Sequence, residues 1–113
     1  MHEYSVTKSL VDLCDQEAEK NNIGHVKRVH IMIGKFTGFS EDAVRFYFEY
    51  LSPGTRCAHA DLVFKEIPIT ISCTSCHKKS QIDDPVMVCP ACGGTDISIA
   101  SGREFYVESI EGE

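Results

Sequence analysis

Four cysteines constrain this chain more than any other feature. Cys73-Thr74-Ser75-Cys76 and Cys89-Pro90-Ala91-Cys92 are two C-x2-C pairs separated by twelve residues. A two-residue gap lets both thiolates of one turn face the same ion, and two such turns close a tetrahedron around Zn²⁺. Gly93-Gly94, directly after the second pair, relieves the crowding of a tight knuckle. The gap is slightly short of the commonest spacing, and iron or iron–sulfur centres share this ligand set, but zinc is the expected ion. A closed set of four thiolates leaves no open coordination position, so the expected site is structural. Residues 69–98 hold few large side chains for a core. Metal binding is therefore expected to supply the folding free energy there, about 10–16 kcal/mol in zinc-finger peptides at neutral pH.

The remainder reads as one small globular body. Its 113 residues are 42% apolar and 25% charged, and no apolar run approaches a membrane span. Met1-His2-Glu3-Tyr4 has neither a basic start nor a long apolar stretch, so no secretory leader is expected and a cytoplasmic location with reduced thiols follows. Seventeen acidic against eleven basic side chains give a net charge of −6, a poor start for binding phosphate. Within 69–98, Lys78 and Lys79 face Asp83, Asp84 and Asp96, and four thiolates on one Zn²⁺ add two negative charges. A nucleic-acid partner is not expected.

Periodicity supplies the elements. In Ser5–Asn21 the apolar Val6, Leu10, Leu13, Cys14 and Ala18 recur at helical steps opposite Lys8, Asp12, Asp15 and Glu19. Asn21-Asn22 and Gly24 stop this helix, and Cys14 on its stripe reads as a buried structural thiol. Residues 26–34 alternate as a strand, with Val29, Ile31 and Ile33 on one face and Arg28, His30 and Met32 on the other. A second helix starts at Ser40 as N-cap with Glu41-Asp42 in its first turn. Its expected apolar stripe is Ala43, Phe46, Tyr47, Tyr50 and Leu51, and Ser52-Pro53-Gly54 ends it. Strands are expected over 61–67 and 103–110, the latter with Phe105 and Val107 opposite Tyr106 and Ile110. The predicted fold is α+β: a three-stranded sheet covered by two helices, residues 1–68 and 99–113, with a zinc-ribbon insert over 69–98.

Enzymatic signatures are missing. Gly34-Lys35 lacks the spacing of a phosphate loop, and neither an H-E-x2-H pair, a zinc-deaminase H-x-E motif nor a G-x-S-x-G elbow occurs. Cys57 with His59 has no orienting carboxylate beside it and reads as loop. No enzyme is expected. The N-terminus offers a different chemistry. The Met1 amine has a pKa near about 7.7–8 and deprotonates cheaply. With the His2 imidazole and the intervening amide it can build a planar, nitrogen-rich chelate suited to Ni²⁺ or Cu²⁺.

The opening MHEYSVTKSLVDLC, the segments VHIMIGKFTGFSEDAVRFYFE and GTRCAHADLVFKEIP, the knuckles CTSC and CPACGG, and the closing SGREFYVESIE together resemble the HypA/HybF family of nickel-insertion proteins. These serve maturation of nickel–iron hydrogenases and, in some bacteria, urease. The resemblance implies a nickel domain of two helices on a three-stranded sheet and a zinc domain inserted before the last strand. It implies His2 as the essential Ni²⁺ ligand, helped by the Met1 amine and by Glu3, chiefly through its backbone amide. Cys73, Cys76, Cys89 and Cys92 match the Zn²⁺ ligands. The fourth nickel donor stays open between the Glu3 backbone, His77 and a histidine from a partner, with Glu3 ranked first. His30 and His59 have no motif support. The partners implied are the maturation GTPase HypB and the hydrogenase large subunit, with urease maturation proteins and a homodimer also admitted. The rival reading is a zinc-ribbon adaptor that joins proteins without moving nickel.

Overall fold

A computed structural model describes residues 3–84 and 86–113. Met1 and His2, two of the expected nickel ligands, lie outside the described residues. The element order is α1 (Glu3–Lys20), β1 (Val26–Gly34), a 3₁₀ turn (Lys35–Thr37), α2 (Glu41–Leu51), β2 (Asp61–Ile67), β3 (Ile69–Cys73), β4 (Lys79–Ile82), β5 (Ile97–Ser101) and β6 (Phe105–Gly112). Two three-stranded sheets form, in the orders β2-β1-β6 and β4-β3-β5. The chain divides into two compact units. One comprises 1–32, 39–65 and 106–113; the other comprises 33–38 and 66–105. Among the described residues no helix is long and apolar enough to cross a membrane.

In the first unit, α1 ends as its sequence dictates. Asn22 takes a left-handed conformation (φ 58°), and the Ile23 and Asn22 amides donate to the carbonyls of Ala18 and Glu19. This is the paired closure of a Schellman motif, with asparagine where glycine is commoner. The buried face of α1 is Thr7, Leu10, Val11, Cys14 and Ala18. Leu13, expected inside, is 45% exposed. Three- and four-residue steps admit two overlapping stripes, and packing selects the one that includes a threonine, which a search for apolar residues passes over.

The expected α2 stripe is corrected more strongly. Val44 and Phe48 are buried, Ala43, Tyr47 and Leu51 are half-buried, and Phe46 and Tyr50 are 67% and 72% exposed. Aromatic residues at 46, 47, 48 and 50 surround the helix, so their positions cannot choose a face. The spacing of 44, 47, 48 and 51 is the one that fits a packed helix. Ser40 caps α2 as expected: its Oγ accepts from the Ala43 amide at 3.3 Å. From α2, the Arg45 guanidinium lies over the Phe64 ring of β2, 4.8 Å from its centroid.

His25 and Glu113 exchange both backbone hydrogen bonds and the Gly34 amide donates to Glu104, so β1 and β6 run antiparallel. The last strand therefore lies two residues later than the expected 103–110. Gly102 at φ 112° turns the chain just before it, and its far end is a Glu- and Gly-rich segment of low strand propensity.

The second unit is built on β3, whose Ile69, Ile71 and Cys73 are buried in alternation. β4 and β5 pair with it antiparallel on either side. Backbones approach closely here: a Cβ on Gly34 would lie 2.1 Å from the Gly102 carbonyl oxygen. Only glycine fits.

Candidate metal centre

Both knuckles have the same backbone design. In the first, the His77 amide donates to the Cys73 carbonyl at 2.9 Å and the Cys73 amide to the Lys78 carbonyl at 3.0 Å. In the second, Gly93 donates to Cys89 and Cys89 to Gly94, both at 2.8 Å. His77 (φ 60°) and Gly93 (φ 74°) occupy equivalent left-handed positions. His77 thus takes the place of a knuckle glycine, a conformation that histidine tolerates better than most residues.

The turns aim four sulfurs at one point. Cys73 Sγ lies 3.7 Å from Cys92 Sγ, Cys76 Sγ lies 3.7 Å from Cys89 Sγ, and all four lie within 4.8 Å of one another. Four thiolates about 2.3 Å from one Zn²⁺ in a tetrahedron stand about 3.8 Å apart, whereas a disulfide brings its sulfurs to about 2.0 Å. The cluster therefore fits zinc and not disulfides. Among the described residues no other group of three or more His, Cys, Asp or Glu ligand atoms converges in this way.

Local electrostatics prepare the thiolates. Amides of Cys76 and then Ser75 donate to Cys73 and lower its pKa against its burial. Amides of Cys92 and Ala91 do the same for Cys89, which falls to about 7. Cys92 receives the Gly94 amide, which favours its thiolate, yet hydrogen bonds to Cys73 and Cys89 hold its proton and push it up to about 12. Four sulfurs this close cannot all ionise without a cation, and a divalent soft-acceptor ion removes the conflict. Sequence spacing located these cysteines; the amide donors of Ser75, Ala91 and Gly94 follow from the knuckle geometry.

Glu3 is the one expected nickel ligand among the described residues. It opens α1, and its carboxylate accepts the Ser40 amide at 3.3 Å. Tyr4 packs edge-on against Tyr47 with centroids 5.4 Å apart, so the first turn of α1 is fastened to α2 at two points. His30 Nε2 sits 2.6 Å from Glu111 Oε2, in a surface ion-pair group with Arg28. Cys57 does not face His59 as a nucleophile faces a base. It is fully buried, and its amide donates to the Thr55 hydroxyl at 3.1 Å.

Two helices, two small antiparallel-containing sheets and a four-thiol cluster on paired knuckles define a two-unit α+β metal-binding protein. Residues 1–112 match the family model described as HypA, hydrogenase/urease nickel incorporation, metallochaperone. Hydrogenase maturation factor HypA of Caldanaerobacter subterraneus subsp. tengcongensis is 42% identical, with both chains covered completely. That of Moorella thermoacetica is 36% identical, again over the whole of both. The solution structure of the Ni metallochaperone HypA from Helicobacter pylori superposes with a TM-score of 0.73 at 28% identity, covering 99% of this chain and 97% of that one. The chain belongs to the HypA family of nickel metallochaperones for hydrogenase and urease maturation. The family consists of maturation factors, not enzymes, and its role implies hydrogenase-related partners.

Proposed function

We propose that this chain binds Ni²⁺ through its first three residues and hands it to a nickel-enzyme precursor, the nickel–iron hydrogenase large subunit or urease. The Met1 amine, the His2 imidazole and amide, and the Glu3 backbone amide are the donors. The observation that carries the reading is the place of Glu3. It is the first residue of α1, where backbone amides have no partner within the helix, so its amide can lose a proton to a metal without breaking a helical hydrogen bond. Its carboxylate is engaged by Ser40, which leaves the backbone as the donor it offers. Such a terminal site needs no preformed cavity, and a recipient can exchange the donors one by one.

Cys73, Cys76, Cys89 and Cys92 hold a structural Zn²⁺, their spacing matching that ion. With no open position at this centre, the chain acts by delivery rather than turnover. It carries no phosphate loop, so a partner GTPase of the HypB kind supplies nucleotide energy, and the exchange takes place in the cytoplasm.

Calorimetric titration of untagged, zinc-loaded protein with Ni²⁺ tests the proposal. Stoichiometric binding is expected, with affinity falling as pH drops because amine and amides release protons. His2→Ala is expected to abolish it while the zinc content stays unchanged. Tight nickel in that variant would remove the assignment, and no nickel in the parent would leave a zinc-ribbon adaptor.

A further inference from the structure

The sheet order β2-β1-β6 leaves β6 with β1 on one side and, among the described residues, no strand on the other. Its outward amides and carbonyls form an open pairing edge. A cavity of about 290 Å³ runs between this strand and α1. Four consecutive residues of β6, 107–110, line it. Side chains on a strand alternate between its faces, so four in a row mean that the cavity meets the edge of β6 and not one face alone. Val107 and Ile110 are half-buried there, and Leu13 on the α1 wall is 45% exposed. The floor of the groove is apolar and open.

The charge along the groove has one sign. Glu17 and Glu108 line it, and no lysine or arginine does. The other acids at the end of β6 are engaged by β1: Glu111 by Arg28 and His30, and Glu113 by Lys27. Glu108 is exposed and forms no ion pair among the described residues. Glu17 keeps only Lys20, at 3.6 Å, a surface pair that contributes little. The strand thus offers an apolar floor and an uncompensated carboxylate side by side.

We propose that the α1–β6 groove docks an extended segment of a partner protein, one in which apolar residues alternate with lysine or arginine, as a fourth strand on the edge of β6. Main-chain hydrogen bonds to β6 hold such a segment, and the side chains on its two faces select it. Its apolar side chains cover Leu13, Val107 and Ile110, while the cations at alternate positions meet Glu108 and Glu17 at the rim. A second copy of this chain fits poorly. β6 against β6 would set Glu108, Glu111 and Glu113 of both copies along one ladder, where facing like charges are destabilising. A helical partner has its own amides paired and would leave the edge of β6 unused.

The test titrates zinc-loaded, full-length, isotope-labelled protein with a synthetic peptide as long as β6, valine alternating with lysine. Two controls have glutamate in place of lysine, or the same composition with the valines and lysines in separate blocks. The alternating basic peptide should shift the amide signals of 106–112 and of 13–21, and should slow hydrogen exchange along the free edge of β6. Glu108→Lys, a change at an exposed position, should weaken binding by about tenfold or more, and Leu13→Ser should weaken it as well. Equal binding of either control peptide would overturn the proposal, as would unchanged affinity in Glu108→Lys or shifts confined to other surfaces. No binding of any peptide would make Glu108 a guard against edge pairing, which also overturns it. So would a concentration-dependent dimer, seen by sedimentation, that Glu108→Lys abolishes and the peptide does not displace.

Discussion

Stripping the metal from the four-thiol centre should unfold the β3–β4–β5 sheet and leave the α1/α2 unit folded. In the second unit the buried apolar side chains other than cysteines are Ile33, Ile69 and Ile71. At about 1.5–3 kcal/mol for each fully buried side chain they contribute about 5–9 kcal/mol. Structural zinc contributes about 10–16 kcal/mol in finger peptides, more than that whole apolar core. The first unit buries Leu10, Val11, Val26, Val29, Ile31, Val44, Phe48 and Leu62 without any help from the centre. On the same scale these eight contribute about 12–24 kcal/mol. Amide spectra of isotope-labelled protein, recorded while a strong chelator withdraws the metal and a dye reports its release, give the answer residue by residue. Signals from Ile69–Cys73, Lys79–Ile82 and Ile97–Ser101 should collapse to unfolded positions and lose exchange protection, while those of both helices persist. Unchanged shifts and protection across these strands after complete metal release would refute the reasoning.

The corrected face of α2 separates two phenylalanines two residues apart. Phe48→Ala should cost about 3–5 kcal/mol in chemical denaturation, whereas Phe46→Ala, at a position 67% exposed, should cost at most about 1 kcal/mol; equal losses would contradict the packing. Asp15 has a pKa held below the ordinary value of about 3.9 by the Arg56 amide and guanidinium. Its contribution is complete above the unfolded value and disappears as pH falls through the lower folded one. The stability difference between the parent and Asp15→Asn should therefore be largest near about pH 6 and close below about pH 4. A difference that stays constant to the acid limit would remove the Asp15–Arg56 linkage.

Much of the site was readable from the sequence because its geometry is local. A C-x2-C turn aims two thiols by its own backbone, and two such turns need only meet. The Ser40 cap and the Asn22 stop are equally local, since each is a hydrogen bond within a few residues of chain. The strands β3, β4 and β5 were harder to see. They are four or five residues long, and β4 is largely polar, so alternation within them carries little weight against the glycines and prolines around them.

Which surface each helix hides was decided only by tertiary packing. The segment FYFEYL places aromatic rings around the whole of α2, and only the neighbouring elements determine that Phe48 is buried while Phe46 and Tyr50 face water. The same holds for Cys14. Its periodicity said that it was buried, but the pairing of its neighbour Asp15 with Arg56, in a distant loop, exists only because two remote segments pack together. Ligand spacing and capping are short-range and are written in consecutive residues. Pairings across the chain depend on how the layers pack, and no stretch of sequence contains them by itself.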